Sequence, residues 1–128
     1  MDTILTDDVW KQVAAESKLA RRPLVAVAYV TSEKNLKLKQ NDLLICDASD
    51  AAIRTGQTSA PLLKSLAQRG VELRSHGDLH AKAAVFGRYA LIGSSNLSSS
   101  SENTLTELAI FTDRDQIVAQ VTSFIYGL

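Results

Sequence analysis

The chain is poor in several residue types that characterise specialised protein classes. Its 128 residues include one cysteine, two prolines, one tryptophan, three tyrosines and three phenylalanines. Because Cys46 is alone, no disulfide can form within the chain, which excludes a disulfide-built scaffold. Basic and acidic side chains balance at 14 each, so the chain has no net charge to attract a polyanion or an acidic membrane. Any phosphate site must therefore depend on a local cluster of polar groups.

Long apolar runs are missing as well. The first residues show no cationic run followed by an apolar stretch, and no segment has the length that crosses a bilayer. We therefore expect a cytoplasmic protein without membrane contact. Hydrophobic residues at 45% and charged residues at 22% are typical of globular chains, and 128 residues suit one core. We expect a single domain over residues 1–128.

Apolar spacing and capping residues predict helices and strands in the order α-β-β-α-β-β-β-β-α. Strands separated by helices favour an α/β fold with a mixed β-sheet flanked by helices. The Gly87-Arg88 junction is typical of a tight antiparallel hairpin. The predicted elements are a helix over 7–20, strands over Leu24–Val30 and Leu43–Cys46, helical sequence over 49–69 with a break at Gly56, strands over 71–74, 80–86, 89–92 and 108–112, and a helix over 113–126.

Candidate chemistry is concentrated on two segments late in the chain. In a strand that begins at His80, the side chains of His80 and Lys82 project from the same face. The strand after the hairpin leads into Gly93, Ser94 and Asn96, where hydroxyl and amide groups are available beside a flexible glycine. An ammonium, an amide and a hydroxyl can surround the oxygens of a phosphodiester, and an imidazole beside them can attack phosphorus or protonate a leaving oxygen.

The string LHAKAAVFGRYALIGSSNLSSSSENTLTELAIF resembles the active-site motif of the phospholipase D superfamily, and in particular its short, single-motif nuclease members. That motif is His-x-Lys followed by a Gly-Ser-x-Asn turn, and it matches here on His80, Lys82, Gly93, Ser94 and Asn96. The fold that the resemblance implies is a single phospholipase D-like domain, in agreement with the predicted α/β order.

The resemblance also implies a role for each site residue. His80 would attack phosphorus to form a phosphohistidine, which water then hydrolyses, without a metal or any other cofactor. Lys82, Ser94 and Asn96 would bind the phosphate oxygens. Glu107, eleven residues after Asn96, looks like the acidic residue of the family that hydrogen-bonds the catalytic imidazole, by the same logic as the acid of a serine-protease triad.

The number of motifs in the chain bears on its assembly. Two-step cleavage uses one imidazole to attack and another to protonate the leaving oxygen, but the chain has one His-x-Lys motif. We therefore expect a homodimer with the active site at a two-fold interface. The expected substrate is DNA, cleaved internally, and the expected enzyme is a nuclease of the phospholipase D superfamily.

Three alternatives stay open at this stage. The chain departs from the family at Gly87, where many members carry an aspartate, and this departure with the neutral net charge is compatible with a non-catalytic nucleic-acid-binding or oligomerisation module. A lipid phosphodiesterase would need an apolar groove or a membrane surface, and the sequence shows no basic amphipathic helix or aromatic cluster to supply one. A metallohydrolase would use His76, Asp78 and His80 as ligands.

The polar segment 31–42 contains three lysines. Lys34, Lys37 and Lys39 could flank a nucleic-acid groove, but a solvated charged loop explains the same spacing.

Overall fold

The computed structural model describes the backbone of all 128 residues and every side chain other than that of Glu102. One seven-stranded sheet runs through the molecule in the order β1-β7-β6-β5-β2-β3-β4. The strands are β1 (Asp2–Leu5), β2 (Leu24–Ala26), β3 (Leu43–Cys46), β4 (Glu72–Ser75), β5 (Ala83–Phe86), β6 (Tyr89–Gly93) and β7 (Ala109–Thr112). The helices are α1 (Val9–Leu19), α2 (Asp50–Arg54), α3 (Ala60–Gln68), α4 (Ser99–Asn103) and α5 (Asp115–Tyr126).

The sheet is mixed, as the sequence predicts. Strands β2, β3 and β4 pair in parallel, whereas β5 pairs antiparallel with β2 and opens an antiparallel series through β6 and β7 to β1. Both faces are covered. Trp10 of α1 and Leu66 of α3 pack into one apolar cluster, and Val121 and Ile125 of α5 pack into the other. Among the described residues, no helix is long and apolar enough to span a bilayer.

Several predicted boundaries change. Strand β1 was not predicted, because three of its four residues are exposed and show no apolar pattern. It forms a strand by pairing antiparallel with β7. The strand expected over Leu24–Val30 ends at Ala26, and Val30 instead forms an isolated parallel bridge with Leu97. The predicted break at Gly56, whose φ is 79°, is confirmed, since the helical segment over 49–69 divides there into α2 and α3.

The structure adds one short helix to the predicted order and shifts the start of one strand. Residues 99–103 form α4, which Ser98 caps by accepting a hydrogen bond from the Ser101 amide at 3.1 Å. Strand β5 begins at Ala83 rather than at His80. The backbone ladder nevertheless continues one step further, since the Gly93 amide donates to the Lys82 carbonyl at 3.0 Å.

Ends of several strands meet at one end of the sheet, which we call the upper end. It is formed by Ala26, Ala83, Gly93 and Ala109 through the pairings of β2 with β5, of β5 with β6 and of β6 with β7. Gly87 lies in the hairpin turn at the opposite end of β5, with φ 61°. The departure from the family pattern at Gly87 is thus a full strand away from the upper end.

Lys39 lies at the lower end of the sheet. Its Nζ is 3.1 Å from Oδ1 of the fully buried Asp42, which directly precedes β3. Lys39 therefore stabilises a buried carboxylate there. All three lysines of the segment are exposed.

Gly93→Ala should destabilise the fold. A Cβ at Gly93 would lie 2.5 Å from the Ala109 Cβ and 2.8 Å from the Leu108 carbonyl oxygen, so β6 and β7 would have to separate. We expect a loss of about 1–3 kcal/mol in the free energy of unfolding, measured by urea denaturation. Gly77→Ala is the control, since a Cβ there meets nothing within 4 Å. Equal stability of the two variants would contradict the close approach.

Candidate active site

The imidazole of His80 and the ammonium of Lys82 lie together at the upper end of the sheet. His80 is exposed, Lys82 is half-buried, and Nζ of Lys82 is 3.2 Å from Nε2 of His80. Because an ammonium has only donors, it donates to Nε2, which places the ring proton on Nδ1. The lone pair of Nε2 therefore points toward the Lys82 ammonium.

Glu107 and Ser94 form a second pair beside them. The Ser94 hydroxyl donates to Oε2 of Glu107 at 2.8 Å and accepts from the Leu108 amide at 3.1 Å. Glu107 is 8% exposed. The resemblance implies a Glu107 bond to the imidazole, but in this structure the carboxylate binds Ser94 instead. The same bond occupies the Ser94 proton, so the role of Ser94 as a phosphate ligand stays a prediction.

The Glu107 carboxylate also acts on Lys82. Burial lowers the pKa of Lys82, and the negative charge of Glu107 opposes this by raising it. The carboxylate thus helps to keep the lysine charged in a partly desolvated position. Because Glu107 also accepts a hydrogen bond from Ser94, it connects the segment that contains Lys82 with the segment that contains Ser94.

Asn96 is fixed by backbone contacts on both sides. Its side-chain Oδ1 accepts from the Tyr29 amide at 3.0 Å, and its main-chain amide donates to the Ser101 hydroxyl at 3.2 Å. The buried Trp10 indole lies 3.2 Å from the carbonyl oxygens of Ser95 and Asn96 and donates to both. With Oδ1 occupied, the NH2 group is the part of the carboxamide left to bind a ligand, but Asn96 does not line the cavity that contains His80 and Lys82. Sequence reasoning missed Trp10 and Tyr29, since nothing local links them to the turn.

A cavity of about 600 Å³ opens at this site. We call the part lined by His80, Lys82 and Ser94 its polar end, and the part lined by four large apolar side chains its apolar wall. The sequence shows no basic amphipathic helix or aromatic cluster to supply an apolar groove, and the cavity has an apolar wall without either feature. Three residues of α5 at spacings of four and three repeat on one helix face, which is the signal that could have located the wall. The apolar wall consists of Ile92 of β6 with Ile117, Val121 and Phe124 of α5.

The structure does not support the metal site that the sequence left open at His76, Asp78 and His80. Among the side chains that the structure describes, no three of His, Cys, Asp or Glu are grouped so that they could hold a metal ion. His76 and Asp78 are exposed, with φ 64° at Asp78, and the His76 amide donates to the Cys46 carbonyl. These residues therefore lie in a turn, and the structure favours the imidazole–ammonium pair over a three-ligand site.

Comparison with a family model decides the family. The model described as "Cardiolipin synthase, PLD-like domain" matches residues 8–126. The chain belongs to the phospholipase D-like family. The superfamily and the fold class predicted from the sequence are both confirmed. No curated protein sequence matches the chain significantly.

Solved structures share this phospholipase D-like fold at low identity. NucT from Helicobacter pylori is 13% identical with a TM-score of 0.75, over 99% of this chain and 94% of that one. Nuc from Salmonella typhimurium, a phospholipase D family member, is 12% identical with a TM-score of 0.75, over 99% and 93%. A variant of yeast tyrosyl-DNA phosphodiesterase 1 is 11% identical with a TM-score of 0.56, over 88% of this chain and 32% of that one.

Glu107→Gln should lower the pKa of Lys82 further. The substitution removes the negative charge that raises it and leaves burial, which lowers it, unopposed. We expect the Lys82 pKa, followed by NMR of the Cε resonance, to lie below the ordinary lysine value in the natural chain and lower again in the variant. Asp115→Asn, which neutralises an exposed carboxylate on α5, is the control and should leave it unchanged. An unchanged or higher Lys82 pKa in Glu107→Gln would refute the coupling.

Proposed function

We propose that this chain is a metal-independent phosphodiesterase that cleaves DNA internally. The observation that carries the proposal is the contact of Lys82 Nζ with His80 Nε2 at 3.2 Å, at the polar end of an open cavity. A lone pair and a positive charge at that separation suit attack on an anionic phosphorus centre. Membership of the phospholipase D-like family supports the same reaction class.

In the first step, the Nε2 lone pair of His80 forms a bond to phosphorus and one P–O ester bond breaks. The Lys82 ammonium breaks its hydrogen bond to Nε2 and donates instead to a phosphate oxygen. It then stabilises the negative charge that develops on the phosphate. The Asn96 NH2 group donates to another oxygen. The departing alkoxide takes a proton from a second imidazole, which enters this step as an imidazolium protonated on both nitrogens. The products of this step are an alcohol, the phosphohistidine and a neutral second imidazole.

In the second step, water attacks phosphorus and the P–N bond breaks. The second imidazole, now neutral, accepts the proton of the attacking water and returns to its starting state. His80 is regenerated, and the product is a phosphate monoester. We assign Glu107 as a positioning residue, because it holds Ser94 and favours the charged form of Lys82.

The second imidazole comes from another copy of the chain in this proposal. The chain has one His-x-Lys motif and therefore one nucleophile. His76 does not form a second motif, because the residue two positions after it is Asp78 and not a lysine. A two-fold axis through the polar end of the cavity would bring the partner subunit's His80 opposite His80. Two Lys82 ammonium groups would then create a positive potential in a chain whose charges balance.

DNA is the substrate we assign to this site. A local pair of ammonium groups attracts the polyanionic phosphodiester backbone of DNA, and one structural neighbour is yeast tyrosyl-DNA phosphodiesterase 1. We also keep the cytoplasm as the proposed compartment, because the chain has only one cysteine and so needs no oxidising environment.

Cleavage of supercoiled plasmid should persist in EDTA and disappear in His80→Ala. We expect the rate to fall at least about a thousandfold in that variant and by several orders of magnitude in Lys82→Ala, since nucleophile and clamp act together. His76→Ala is the matched control and should retain the natural rate. Activity that is lost in EDTA and restored by a divalent ion, together with a loss in His76→Ala, would instead establish a metal site.

The active species should be a homodimer. Sedimentation equilibrium at the assay concentration should give twice the chain mass of 13.9 kDa, and activity per chain should fall on dilution below the dimer dissociation constant. A fully active species at the monomer mass would rule out a site shared between subunits.

A further inference from the structure

The cavity beside His80 has two chemically different ends, and the proposed phosphate chemistry occupies only one of them. The polar end holds His80, Lys82 and Ser94. The apolar wall includes Ile92, which is 42% exposed, and Phe124, which is 47% exposed. Two large apolar side chains that stay this open beside a reactive pair indicate a contact with something apolar.

We propose that the apolar wall is a subsite for the nucleobase next to the scissile phosphate, an inference that rests on the proposed function. With phosphate at Lys82, the attached nucleoside extends from the polar end toward α5. The base then packs against the Phe124 ring, as bases stack on aromatic side chains in single-strand binding sites. The cavity volume of about 600 Å³ lies within the range of sites for one small organic group.

The lining favours a base over a lipid chain. Gln120 is exposed on the same wall, and its amide can both donate to and accept from the edge of a base. An acyl chain offers no such partner. The helix that forms the wall, α5, contains Asp115 and no lysine or arginine, so it lacks the basic face by which amphipathic helices bind anionic membranes.

This subsite has a consequence for substrate choice. A base can reach the wall only when it is unstacked and unpaired, which costs free energy in a duplex but little in a single strand. The preferred substrate is therefore single-stranded nucleic acid, or the locally unpaired stretches of a supercoiled duplex, cleaved beside an unpaired base.

The test compares two labelled single strands of equal length, oligothymidylate and the same backbone with abasic tetrahydrofuran residues. We expect kcat/KM for the base-bearing strand to exceed that for the abasic strand about tenfold, corresponding to the loss of one stacked base. In Phe124→Ala this ratio should fall toward one, and Ile92→Ala should lower it in part. Leu19→Ala is the matched control, since Leu19 is 82% exposed on α1 and does not line the cavity.

Binding is measured alongside turnover, by fluorescence anisotropy of the same strands. If no phosphodiester is cleaved, the proposed function fails, and the affinity ratio of base-bearing to abasic strands still decides the subsite. Equal affinity and equal cleavage of both strands by the natural chain would overturn it. So would cleavage of phosphatidylglycerol vesicles that is lost in Phe124→Ala, which would assign the wall to acyl chains. If the Phe124→Ala chain sediments as a monomer and its affinity for both strands falls equally, the apolar wall contacts a second copy of the chain and not a base.

Discussion

A buried carboxylate organises the upper end of this molecule. Glu107 is 8% exposed, and a charge in that position is tolerated only when hydrogen bonds and opposite charge replace the water it has lost. The Ser94 hydroxyl supplies a hydrogen bond at 2.8 Å, and the negative charge of Glu107 in turn raises the pKa of Lys82. The lysine whose charged form Glu107 favours is the same one that contacts the His80 imidazole.

Main-chain contacts make this arrangement rigid. The Gly93 amide binds the Lys82 carbonyl, and the missing side chain at Gly93 lets Ala109 approach closely. From the other side, the buried Trp10 indole binds two carbonyl oxygens of the turn that presents Asn96. The backbone at Lys82, Gly93 and Asn96 is thus held by a strand ladder or by a buried ring, which limits the reorganisation that a reaction would require there.

The cavity combines this polar end with a hydrophobic wall that belongs to a different layer of the fold. Val121 packs into the core beneath α5, while Phe124, three residues later, remains open to the cavity. One helix therefore both covers the sheet and lines the site. If α5 binds the base as proposed, chemistry and recognition are divided between strand ends and helix, and substitutions in α5 would change substrate preference without altering the reactive groups.

The sequence alone determined the relation between the two reactive segments. A two-residue turn at Gly87-Arg88 pairs Phe86 with Tyr89, and counting back along the ladder places Lys82 opposite Gly93. Apolar periodicity likewise located the main helices and the central strands, because each element must bury one face and its repeat is visible locally. The phospholipase D-like family followed from the residue types at that junction.

Tertiary structure decided what depends on groups far apart in the chain. Strand β1 exists because β7 pairs with it across more than a hundred residues, and its own pattern is mostly exposed. The partner of Glu107 is Ser94, and the support of the Asn96 turn is Trp10, a residue whose apolar spacing reports burial and not its hydrogen bond. Local periodicity encodes which face of an element is buried, whereas side-chain partners and cavity walls depend on how separate elements pack, and no short segment contains that information.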